Sequence, residues 1–329
     1  PYYRRGCLSL PSPRRPLSAP KNIQISEKSK HSLTLEELYL KPIIKWDEKI
    51  TNRWTVSEKA AQQRLDEFVL DELQDYRDGR NFPDKANVSR LSPYLHFGQI
   101  SPNTAWFRAL DASALIANEK SLDTFLSELG WREFSYYLLY HFPHLPHKNL
   151  QSKFDAFPWP KTQASILRLW KSGKTGYPLV DAGMRELYST GYMHNRVRMV
   201  VGSFLVKNLL IHWHEGESWF WDCLVDADLA SNSAGWQWIA GCGADAAPYF
   251  RIFNPITQSE KFDKQGNYIR RYVPELANMP DKFIHAPWLA PEHILKEAGI
   301  EIDVNYPAPV VDIKMSRALA LEAFAQTKT

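Results

Sequence analysis

Cysteine is scarce in this chain. The three present, Cys7, Cys223 and Cys242, do not have the spacing of metal ligands. So few cysteines, and an odd number, in 329 residues exclude a disulfide scaffold and point to reduced thiols in a cytosolic compartment. Long apolar runs are also missing. None reaches the roughly 18 residues a membrane-spanning helix needs, and the nearest, 197–211, is broken by Lys207 and Asn208. No basic-then-apolar start marks a signal peptide. Strand signals are few, there is no internal repeat, and the Gly-x-Gly-x-x-Gly fingerprint of a Rossmann crevice is absent. Charge of one sign is not in excess either. The formal net charge is +3, so only arginines sharing a face would point to nucleic acid.

What is present is a globular composition, 44% hydrophobic, with twelve tryptophans. Residues 1–55 read as a Pro- and Ser-rich linker and irregular connecting segment, following an upstream domain that is not in this chain. Residues 56–329 read as one helical domain. Apolar spacing predicts helices over 56–76, 121–141 (capped by Ser121), 162–172, 178–190, 194–212, 216–225 and 233–241. Shorter ones are predicted at Ser92-Pro93, Ser101-Pro102, 291–298 and 314–325.

Two stretches, Tyr192–Met199 and Trp221–Trp238, combine amides, paired charges and large rings. A packed core does not require that mixture. A pocket for a planar, polar-edged cofactor does, because rings need apolar walls and their heteroatom edges need fixed donors and acceptors. Asn195 and Met199 are four apart on a predicted helix and so share a face, and Glu128, Trp131 and Arg132 do the same at i, i+3 and i+4. The guanidinium of Arg198 calls for a carboxylate, and Asp226 is the candidate. Val88-Ser89-Arg90-Leu91-Ser92 leads into a helix start, a place whose N–H groups suit a pyrophosphate, although an ordinary capped helix has the same pattern.

These motifs occur in order with Glu128–Phe134, Gly176–Asp181, His194-Asn195-Arg196, Asp226-Ala227-Asp228, Gly235–Trp238 and the Tyr249–Pro255 stretch. Together they resemble the DNA photolyase and cryptochrome family over about Phe82–Val310. The resemblance implies an all-α, photolyase-type helical FAD-binding domain, with an upstream α/β antenna domain outside this chain and an antenna chromophore left unidentified. It implies FAD contacts from Tyr76, Val88, Ser89, Arg90, Leu91, Ser92, Arg132, Asn195, Arg198, Asp226, Asp228 and Asn232. Val88 departs from the hydroxyl residue often found at its position. Asn232 would favour a reduced, anionic flavin, because an amide does not readily supply a proton.

The resemblance also implies a lesion pocket. Glu128 would bind the dimer, Trp131 and Trp238 would wall it, and Asn195 and Met199 would form its floor. Trp236, Trp213 and Trp170 would relay electrons between flavin and surface. Arg196 and Arg251, with Lys161 and Lys264, would contact phosphates of double-stranded DNA. The set Trp131, Asn195, Arg196, Met199 and Asn232 resembles class I cyclobutane pyrimidine dimer photolyases. The activity implied is light-driven dimer repair by a cytoplasmic monomer. The alternatives are a cryptochrome-like blue-light receptor acting through a protein partner, and a helical nucleic-acid-binding module without flavin.

Overall fold

The computed structural model describes residues 2–24, 32–34, 36–113, 118–246, 248–249 and 251–327, with backbone alone for Tyr3 and Arg4. Residues 1, 25–31 and 35 of the expected connecting segment, and Phe250 of the Tyr249–Pro255 motif, lie outside the described residues. Among the described residues there is no sheet, only an isolated bridge between Ile302 and Tyr306. The all-α expectation holds. No described helix is long and apolar enough to cross a membrane.

Two separate cores organise the helices. The first is built by α1 (Glu58–Glu67), α2 (Ser92–His96), α3 (Pro102–Asp111) and α4 (Glu119–His141). Ser57 caps α1 by accepting from the Ala60 amide at 3.0 Å. The helical path then widens over Phe68–Glu72, tightens over Leu73–Asp75 and ends in the short helix Tyr76–Gly79. These irregular turns keep Leu65, Phe68, Leu73 and Tyr76 buried in one core, against Phe125 and Leu126 of α4. The cap of α4 differs from expectation. Asn118 accepts from the Ser121 amide, while the Ser121 hydroxyl lies inside the helix and accepts from the Arg77 amide at 3.1 Å.

The second core gathers α5 (Ala164–Lys171), α6 (Pro178–Thr190), α7 (Asn195–Ser203), α8 (Trp213–Cys223) and α9 (Leu229–Ala240). It continues through α10 (Pro255–Phe262), α11 (Asn267–Tyr272), α12 (Glu292–Ala298) and α13 (Ile313–Gln326). Helix α6 is buried on nearly every side, as a central helix must be. Its carboxylate Asp181 is fully buried and accepts from Thr175, the Gly176 amide and the Tyr306 hydroxyl, so the polar group is satisfied inside the core. The expected 194–212 helix stops being regular at Ser203, widens over Phe204–Asn208 and ends before α8. Apolar spacing does not announce α10 or α11. Asn254, which accepts from the Ile256 amide at 2.9 Å just before Pro255, is the start signal that marks α10.

Helices α4 and α9 pack against each other where the two cores meet, and α8 packs along α9. The α8–α9 approach requires Gly216. A Cβ there would lie 2.1 Å from Trp236 Cη2 and 2.7 Å from Leu205 Cδ2. Gly216→Ala should therefore destabilise the fold by about 1–3 kcal/mol through overpacking. Urea unfolding checks this, and an unchanged midpoint would contradict the close approach.

Candidate functional site

The seam between the cores holds a cleft with two lobes. The larger has a volume of about 490 Å³ and is lined by Glu128, Trp131, Asn195, Met199, Asn232, Trp236 and Trp238, among others. The smaller, about 260 Å³, is lined by Tyr76, Val88–Ser92, Phe125 and Arg132. Glu128, Arg198, Asp226, Asp228 and Ser231 line both, so the lobes share a wall. The expected flavin and lesion residues thus come together from segments far apart in the chain.

The shared wall is organised by Asp226, which is buried. It accepts from Arg198 Nη2 at 2.9 and 3.2 Å and from the Ser92 hydroxyl at 2.6 Å. Ser92, which the resemblance implies contacts FAD, lines the smaller lobe, and its hydroxyl ties the 88–92 loop to Asp226. Arg198 also donates from Nε to the Met193 carbonyl at 2.7 Å, and its charged state is favoured by Asp226 against the cost of burial. Asp228 caps α9 through the Ser231 amide at 2.8 Å and accepts from the Tyr136 hydroxyl. Its carboxyl lies below the ordinary value because these hydrogen bonds outweigh burial.

The 88–92 loop has the local form of an anion cradle. Arg90 sits in the left-handed region at φ 52°, and Leu91 follows in the right-handed helical region. Alternation of that kind turns successive N–H groups toward one point. The amides of Ser89 and Arg90 have no acceptor among the described residues. Apolar walls from Phe134, Leu138 and Trp236 complete the larger lobe. Unpaired amides beside one lobe and a ring-walled second lobe fit a ligand with a diphosphate and a planar ring system. Asn232 donates through Nδ2 to the Glu217 carbonyl at 3.0 Å, leaving Oδ1 without a partner among the described residues.

Glu128 is held by Arg80 at 2.5 Å, a residue the motifs do not single out and which also lines the larger lobe. The signal that could have found it is charge: a carboxylate on the wall of an apolar cavity needs a cation nearby. Trp131 is 46% exposed and stands at the mouth, while Trp238 is half-buried.

Other expected residues are placed differently. Arg196 is half-buried. It donates to Asn81 Oδ1 at 2.5 Å and lies over the Phe262 ring at 4.5 Å, so it is braced against the wall and does not project freely. Arg251, Lys161 and Lys264 are exposed and line neither lobe. Trp236 is buried beside Phe220, with ring centroids 4.9 Å apart. Trp213 is 1% exposed and donates to Asn149. Trp170 has no exposed surface and packs 6.3 Å from Trp236, so it cannot be the outer end of a relay to the surface. The half-buried Trp159 is better placed, with its ring 4.9 Å from His212, which stacks on Trp213 at 5.6 Å.

A cleft of this construction, on this all-helical frame, defines a class. Residues 125–326 match the family described as the FAD binding domain of DNA photolyase. The chain belongs to the photolyase and cryptochrome family. It is 49% identical over 316 residues to a deoxyribodipyrimidine photo-lyase of Agrobacterium fabrum, covering 96% of this chain and 64% of that protein. It is 42% identical to cryptochrome-2 of Arabidopsis thaliana, over 85% of this chain and 46% of that protein. The crystal structure of a bacterial class III photolyase from Agrobacterium tumefaciens superposes with a TM-score of 0.94 at 47% identity, covering 98% of this chain and 67% of that one. The sequence motifs point to class I, whereas this solved structure is described as class III. The chain spans about half to two thirds of the length of these curated relatives.

Burial raises the carboxyl of Glu217, behind Asn232, from 4.5 to about 7, against the Ser233 hydroxyl that donates to it. The folded state then holds this proton more tightly than the unfolded chain. The contribution to stability is full below about pH 4.5 and is lost as pH rises through about 7. Glu217→Gln should flatten the stability profile over that window. Unfolding midpoints measured at several pH values test this, and parallel profiles for the two proteins would count against it.

Proposed function

We propose that this chain holds FAD and carries out light-dependent repair of cyclobutane pyrimidine dimers in DNA. The observation that carries this reading is the two-lobed cleft. Unpaired amides of Ser89 and Arg90 serve one lobe, and Trp131, Trp238 and Glu128 surround the mouth of the other. FAD, bound and reduced, would supply blue-light absorption and an electron lent to the dimer and regained once the cyclobutane bonds have opened, so that no net oxidation or reduction occurs.

The protein side chains have narrower tasks. Arg198 and Asp226 fix the wall between the lobes, and Asn232 offers an acceptor and not a proton donor. Trp131 and Trp238 provide faces for a flipped dimer, where stacking contributes about 1–3 kcal/mol per base. Glu128, steadied by Arg80, orients the dimer through its imide edge. Flipping is easiest for a damaged base, so the lesion itself supplies part of the selectivity. Arg251, Lys161 and Lys264, exposed outside the cleft, suit contacts to phosphate that position the duplex without reading sequence. A blue-light receptor is the second reading, supported by the likeness to cryptochrome-2.

Reduced protein illuminated with a dimer-containing oligonucleotide should restore thymine absorbance. No repair of that lesion would overturn the proposal and favour the receptor. Glu128→Ala should lower the repair yield with FAD still bound; loss of FAD instead would remove Glu128 from the lesion pocket.

For photoreduction, the proposed route outward is Trp236, Trp213 and Trp159. With oxidised protein and a thiol donor, Trp236→Phe and Trp159→Phe should both slow the loss of flavin absorbance, and Trp170→Phe should slow it less. Equal rates for wild type and Trp159→Phe would rule out Trp159 as the outer member.

A further inference from the structure

Arg64, on α1, lines neither lobe of the cleft, yet it grips the loop that cradles the smaller one. Its Nε donates to the Ser89 carbonyl at 2.9 Å and its Nη2 to the Val88 carbonyl at 3.2 Å. The same guanidinium is paired with Glu72 at 2.5 Å and Glu67 at 3.3 Å. Two carboxylates therefore answer its charge, and what remains is direction.

Peptide geometry gives that direction a consequence. In a trans peptide the C=O and N–H point opposite ways, and the described chain has no cis bonds. The Val88 carbonyl shares its peptide with the Ser89 N–H, and the Ser89 carbonyl shares its peptide with the Arg90 N–H. Drawing both carbonyls onto Arg64 turns both N–H groups away from it. Those are the two amides with no acceptor among the described residues.

We propose that Arg64 is a positioning residue for a diphosphate-bearing cofactor: it sets, from behind the loop, the two N–H donors that receive the diphosphate. This rests on the reading that FAD occupies the cleft. Lysine cannot replace it fully, because a single ammonium lacks the fork that reaches two carbonyls and two carboxylates at once.

The test is to titrate apoprotein of wild type, Arg64→Met and Arg64→Lys with FAD and with riboflavin, which has the same ring system but no diphosphate. Arg64→Met should weaken FAD binding by about tenfold or more, and Arg64→Lys by less. Riboflavin affinity should stay within about twofold in both. If Arg64→Met fails to fold, Arg64→Lys carries the comparison. Unchanged FAD affinity, or equal losses for both ligands, overturns the proposal. Wild type that binds no FAD would instead refute the cofactor reading.

Discussion

The pairing of Asp226 with Arg198 and Ser92 is the constraint on which the site depends. A carboxylate this buried persists only if its oxygens are satisfied, and its partners come from two different bodies of the molecule. Ser92 stands at the start of α2, against the first core, and Arg198 lies in α7, within the second. Satisfying one charge therefore fixes the 88–92 loop, the start of α7 and the lead into α9 relative to one another. The same pairing commits the Ser92 hydroxyl proton to Asp226, while the amides of Ser89 and Arg90 beside the smaller lobe have no acceptor among the described residues.

Much of this was legible in the sequence where the signal is local. Helices α6, α12 and α13 fall close to their predicted spans because Pro, Gly and apolar spacing mark them. Ser57 and Ser101 cap helices that start close to their predicted positions. The start of α7 falls beside its predicted position, whereas α8 begins at Trp213, ahead of the predicted 216; His194 and His212 cap these helices through a ring nitrogen, a role usually taken by Ser, Thr, Asp or Asn. Burial and neighbouring arginines push His194 down to about 3, which keeps the ring unprotonated and able to accept.

The site was legible as a set of residues and less so as an arrangement. Arg198 with Asp226 followed from charge alone. Arg80 with Glu128 obeys the same charge rule, but no motif names Arg80 among the cations available, and only the fold brings the two together. The tryptophans show the limit most clearly. Indoles match a motif equally well whether buried or exposed, so Trp170 could be separated from Trp159 only once their surroundings were known.

The cleft lies between two cores and not inside either. Its width is then a matter of how two independently packed bodies are registered. Its walls are the facing surfaces of those cores, Tyr76, Leu91 and Phe125 from one and Phe220, Leu224 and Trp236 from the other, so packing that stabilises the fold also shapes the room a ligand finds.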